Sequence, residues 1–181
     1  MEYTSLLAGE PFSDSPRCVD RELAIVLRRA NDSMTDAERG ALVPLLGRAI
    51  GLVAPSPHSE RLPGWHPFRR LRYTEQDRDA VAVTRQLHRS VAERLIAAVG
   101  PPPSAAARLS HERHPRVSEL FIDLMNEPTT ASQDGESTGR LVERLALLHQ
   151  CYEEAMDELG LRSRSTPERT PSVTSSCVPA S

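Results

Sequence analysis

The chain has no lysine: all 22 of its basic residues are arginine. That absence excludes a lysine Schiff base, a P-loop lysine and any acetylation of surface lysine. Arginine in place of lysine is also the usage expected of a GC-rich genome. Aromatic residues are scarce, at 4%. A core must therefore be built from Leu, Val, Ile and Ala, and such a composition favours helices over strands. The three cysteines, Cys18, Cys151 and Cys177, are odd in number and far apart. They suit a reducing cytoplasm and do not frame a disulfide scaffold. No apolar run approaches the roughly 20 residues of a membrane span. The opening MEYTSLLAGEPF lacks the basic region and long apolar run of a signal peptide. A cytoplasmic location is the expectation. A net charge of −3 gives no bulk attraction for nucleic acid.

What is present is helical periodicity. Residues 17–53 read as two amphipathic helices joined by a capped turn. Val19, Leu23, Val26, Leu27 and Ala30 form one stripe; Leu42, Leu45, Leu46, Ala49, Ile50 and Val53 form the other. Asp20 is placed to cap the first helix, which should end near Asn31–Ser33. Thr35-Asp36-Ala37-Glu38 has the spacing of a capping box. Pro44 lacks an N–H and crowds the carbonyl of Gly40, which predicts a kink, or a break with Pro44 restarting the helix.

The fold expected is all-α, with five to seven helices in one orthogonal or bundle-like domain. Residues 1–16 read as an N-terminal arm whose Tyr3, Leu6, Leu7 and Phe12 dock on the body. Residues 17–160 form the helical domain. Residues 161–181, rich in Ser, Thr and Pro, read as a disordered tail. Within the domain, residues 54–68 form a proline-rich connection. Thr74 caps a long helix that stops at Gly100, with a stripe of Ala80, Val83, Leu87, Val91, Leu95 and Ala98. Residues 104–126 read as two shorter helices separated near His114-Pro115, the second with Val117, Leu120, Phe121, Leu124 and Met125 on one side. The last helix spans about Ser137 to Leu159, with Leu141, Leu145, Leu148, Tyr152, Met156 and Leu159 in line and Gly160 as its C-cap.

Several constellations could carry chemistry. In the segment from Arg61 to Tyr73, Arg69, Arg70 and Arg72 interleave with Trp65, Phe68 and Tyr73. Arginine with aromatics can hold a phosphate and stack a base. The competing reading is that Trp65 and Phe68 plug the core while the arginines pair with acids near Glu75–Asp79. His111 and His114 lie three apart, a spacing that can share a metal on one helix face. No further ligand stands at a recognised spacing, and surface histidines are the plainer reading. His149 and Cys151 cannot face each other at a spacing of two on a helix, so Cys151 reads as a small buried residue. Glu143, Glu153, Glu154, Asp157 and Glu158 lack the Glu-x-x-His pattern of a di-iron bundle and read as a solvated face with Arg140 and Arg144 as partners. The first hairpin is a poor DNA-reading helix-turn-helix. Its second helix is apolar, carries only Arg39 and Arg48, and contains Pro44.

Residues 6–52 resemble the N-terminal part of small uncharacterised actinobacterial proteins. The resemblance rests on Phe12-Ser13-Asp14 with Pro16 and Cys18, on an Arg before Ala30-Asn31-Asp32, and on Ser33, Asp36, Arg39, Leu42, Pro44-Leu45-Leu46, Arg48 and Ile50-Gly51. It implies no activity, cofactor or catalytic residue.

The sequence thus points to a small non-enzymatic helical protein that works through contacts with a protein partner, with no cofactor. A nucleic-acid or phosphate binder using residues 61–73, and a metal-dependent helical enzyme using His111 and His114, are the alternatives.

Overall fold

A computed structural model describes residues 2–13, 16–55, 74–101, 116–125 and 134–162. Among them are six α-helices and no strand: α1 (Glu2–Leu7), α2 (Arg21–Ser33), α3 (Val43–Arg48), α4 (Glu75–Val99), α5 (Val117–Met125) and α6 (Asp134–Glu158). A 3₁₀ turn, Arg39–Leu42, runs directly into α3. The all-α expectation is met.

Helix ends follow the local chemistry of the sequence. Asp20 caps α2 by accepting from the backbone N–H groups of Glu22 and Leu23. Thr74 opens α4 with a complete capping box: its hydroxyl accepts from the Asp77 N–H while the Asp77 carboxylate accepts from the Thr74 N–H. Gly160 ends α6 at φ +65°. Its N–H donates to the Asp157 carbonyl, and the Leu161 N–H donates to that of Met156, the paired bonds of a Schellman cap. Leu161 packs against the core, so the ordered cap reaches one residue into the segment read as tail.

The second helix of the first hairpin departs from its uniform reading. Glu38 accepts from both the N–H and the hydroxyl of Thr35, so the Thr35 hydroxyl donates rather than caps. The Glu38 N–H goes to the Thr35 carbonyl, and residues 36–38 are a turn. The cause lies at Pro44, which cannot bond back to Gly40. The chain tightens into the 3₁₀ turn and restarts as α3 with Pro44 in its first turn. α3 then stops at Arg48, five residues before the periodic stripe ends.

The core collects the predicted stripes. Leu23, Val26, Leu27 and Ala30 of α2 are buried, as are Leu42, Leu45, Leu46 and Ala49. Leu87, Val91 and Leu95 of α4 join Val117, Leu120, Phe121 and Leu124 of α5, and Leu145, Leu148, Tyr152 and Met156 of α6. The broadest packing is α4 on α6, with α2 on α5 next, then α4 on α5. Both ends of α5 are tied by other helices. Glu22 of α2 accepts from the N–H and hydroxyl of Ser118, and Arg144 of α6 donates to the Leu124 carbonyl. These are the orphan backbone groups that a short helix cannot satisfy alone.

The arm docks, with α1 on α3, but through other residues than expected: Thr4 and Ser5 are buried while Leu6, Leu7 and Phe12 are exposed, and the side chain of Tyr3 lies outside what is described.

Candidate functional site

The segment singled out from sequence, with Trp65, Phe68, Arg69, Arg70, Arg72 and Tyr73, lies outside the described residues. So do His111 and His114. The described residues on either side of 56–73 are anchored. Thr84 Oγ1 on α4 donates to the Pro55 carbonyl at 2.7 Å, and Thr74 is the cap of α4.

A groove opens among α2, α5 and the first turns of α6, with a volume of about 580 Å³. Its floor is apolar: Val26, Ala30, Met34, Phe121, Ile122 and Leu141. Arg29, Asp32, Ser33 and Thr138 add polar groups. The groove exists because α6 packs closely on α4 yet has little contact with α2 or α5. The stripe on α6 records this: Leu145 is fully buried, whereas Leu141, one turn earlier, is only half-buried. A volume in this range suits a bound ligand or a cluster of side chains from another molecule. Thr138 is held in place from below, donating its hydroxyl to Glu38. That bond, with two more from Thr35, draws the Glu38 carboxyl down to about 2.

A second constellation lies inside the fold. Asp20 is buried, and its carboxylate gathers donors from three helices. Besides capping α2, it accepts from Tyr152 Oη on α6 at 2.8 Å and from His88 Nε2 on α4 at 3.0 and 3.2 Å. Burial opposes the Asp20 charge, but the hydrogen bond and charge of His88 and the Tyr152 hydroxyl outweigh it, so its pKa falls below the ordinary value. His88 is pushed the other way. Burial works against its charge, yet Asp20, with Glu22 further off, raises its pKa. Tyr152 is driven well above its usual range by full burial and the adjoining carboxylate. The His88 side chain is 15% exposed, so protons can reach it. Sequence reasoning identified Asp20 only as a cap and Tyr152 only as core. The 68 residues between Asp20 and His88 leave no local pattern that joins them.

His149 and Cys151 do not form a pair. The His149 ring is buried, with Nδ1 2.7 Å from the Leu145 carbonyl one turn back, while Nε2 is buried without a hydrogen-bond partner. Burial lowers its pKa, with the Arg48 charge adding to the effect, and keeps the ring neutral. Cys151 is buried as expected, and burial pushes its thiol up to about 11.

The acids of α6 form a structured face, held both locally, by Arg162 on Asp157 and Gln150 on Glu154, and from other helices. Arg48 of α3 makes two 2.7 Å bonds to Glu153, and Arg94 of α4 reaches Glu154 and Glu158. Among the described residues no group of three or more His, Cys, Asp or Glu is placed to hold a metal ion. No family model, curated protein or solved structure matches this chain.

Proposed function

We propose that this is a small non-enzymatic helical protein that acts through protein–protein contacts, as an accessory or regulatory factor. The observation that carries the reading is a pair of apolar surfaces that the described residues leave uncovered: the α2–α5–α6 groove and the outward side of α1. Removing apolar surface from water is the main driving force of association. Contiguous exposed apolar groups rimmed by polar ones mark interaction sites. A cleft between helices is also the shape that receives an amphipathic helix. The titratable groups described elsewhere are engaged in holding the fold: Asp20 as a cap, Glu22 and Arg144 at the ends of α5, and the α6 acids in ion pairs.

The cytoplasm is the proposed setting; no described helix is long and apolar enough to cross a membrane. Kinship with the actinobacterial group is part of the same proposal. Of the residues that carry the resemblance, Ala30, Leu42, Leu45 and Leu46 are core, so the likeness is one of packing and fold.

A photo-cross-linking residue placed at Asp32 or Leu7 tests the reading in the native host. A discrete adduct from both positions, absent from a control at Gln150 on the exposed side of α6, is the expected result. Turnover of a defined substrate, abolished by one side-chain change, would sink it. So would adducts that form equally at Gln150.

A further inference from the structure

The arm is mounted with its apolar side outward. Thr4 and Ser5 of α1 are fully buried, while Leu6 is 57% exposed, Leu7 51% and Phe12 65%. Thr4 Oγ1 has no hydrogen-bond partner in its buried position. A helix that buries an unpaired hydroxyl and exposes two leucines gains nothing from that orientation within its own chain. The orientation makes sense when something else covers Leu6, Leu7 and Phe12.

The groove presents the converse, an apolar floor with no described element across it. Neither α1 nor α3 supplies a lining residue, so the arm is not already a wall of the groove. One groove residue can answer the arm's charge. Residues 1–16 carry Glu2, Glu10 and Asp14 and no basic residue. Arg29 lines the groove and is exposed. Asp32, one turn on, carries the opposite sign, so the groove favours an arm whose acidic start lies beside Arg29.

We propose that the arm of one copy docks in the α2–α5–α6 groove of a second copy. Leu6, Leu7 and Phe12 cover the floor around Phe121 and Leu141, and Glu2 faces Arg29. Exchange in both directions gives a closed two-fold dimer, because each copy offers one plug and one socket. The inference rests on the reading of function through protein contacts and deepens it by naming the partner.

Sedimentation velocity of the full chain across a concentration series is the test. The wild type is expected to form a concentration-dependent dimer. Phe12→Asp in the plug and Leu141→Arg in the socket each raise the dissociation constant by roughly a thousandfold, because the two-fold dimer loses a hot spot worth roughly thirtyfold at both of its contacts. Mixing the two variants brings together one intact plug and one intact socket, so a heterodimer forms where neither variant dimerises alone. Arg29→Glu weakens the dimer, and Glu2→Arg in the same chain restores it. Phe12, Arg29 and Glu2 are exposed, and an unchanged thermal midpoint confirms folding of each variant. A monomer at every concentration up to about 100 μM overturns the proposal. So does a dimer indifferent to both apolar changes, or a mixture that stays monomeric. A monomer that still yields the adduct at Asp32 removes self-docking alone. A monomer with no adduct at Asp32 or Leu7 removes the contact reading as well.

Discussion

Tyr152 on α6 donates its phenolic hydroxyl to the Asp20 carboxylate at the head of α2, 2.8 Å away across 132 residues of sequence. Both groups are buried. Tyr152→Phe keeps the ring and removes only the donor. A hydrogen bond to a charged group is worth about 1.5–3 kcal/mol, and urea unfolding of this variant should show a loss in that range. Asp20→Ala removes the α2 cap and leaves His88 and Tyr152 without their acceptor, so a loss of about 3–5 kcal/mol is expected. If Asp20→Ala costs no more than Tyr152→Phe, the carboxylate does not join the helices as described.

Stability should vary with pH in a way that separates three residues. His88 has a folded pKa above its usual 6.5, so its contribution is full below 6.5 and is lost as pH rises through the folded value. Asp20 is held below its usual 3.8, so its contribution is present above 3.8 and is lost as pH falls through the folded value. His149 is lowered from 6.5, so the fold weakens as pH falls from 6.5 toward its folded value. The fall in stability that begins just above pH 6.5 therefore belongs to His88, with Cys151 and Tyr152 adding to it only above about 9, and the acid flank belongs to His149 first and later to Asp20 together with Glu38, Glu153 and Glu158. Unfolding free energies measured against pH should lose the near-neutral part of the alkaline flank in His88→Gln. They should lose the upper part of the acid flank in His149→Leu. Flanks that persist unchanged in these variants would contradict the assignment.

Thiol labelling should report the burial of Cys151. In a Cys177→Ser background, Cys18, which is half-buried, reacts with a disulfide reagent before Cys151 does. The Cys151 thiol, pushed up to about 11, reacts at a rate set by opening of the fold. Its labelling should speed up in Tyr152→Phe by the factor that equilibrium unfolding gives. Fast labelling of Cys151 in the native wild type would refute its placement.

Gly160→Ala should destabilise the protein by about 1 kcal/mol, because alanine at φ +65° is strained. No heavy atom lies within 4 Å of the added Cβ, so the cost is one of backbone alone. Gly139→Ala, inside α6 and equally open, should instead stabilise the protein by up to about 1 kcal/mol. Thermal midpoints of the two variants should move in opposite directions.

Local signals made much of the fold legible. Asp20, Thr74, Gly100 and Gly160 announce helix ends because a cap needs only its own few backbone groups. The stripes on α2, α5 and α6 announce buried faces because helical spacing is itself local. Pro44 announces the break before α3 for the same reason. What was not legible depends on elements meeting. His88 looks like any polar residue on α4 until Asp20 is brought to it. Arg48 and Arg94 show no sign in sequence that they answer Glu153 and Glu158. The arm's orientation is not legible either, because Leu6, Leu7 and Phe12 are apolar enough to suggest docking, yet Thr4 and Ser5 take the buried places. The groove leaves no sequence mark, since it arises where Leu141 fails to meet α2 and α5.

The Asp20 cluster also bears on the order in which the chain can mature during synthesis. α2 emerges early, and its cap can form at once from the Glu22 and Leu23 amides. The same carboxylate cannot be enclosed until α6 has been made, because one of its donors is Tyr152. Contacts so distant in sequence form late and slowly. On the ribosome the first hairpin would therefore wait, with its apolar stripes bare, until nearly the whole helical body had been translated, and this is the interval in which a chaperone would find it.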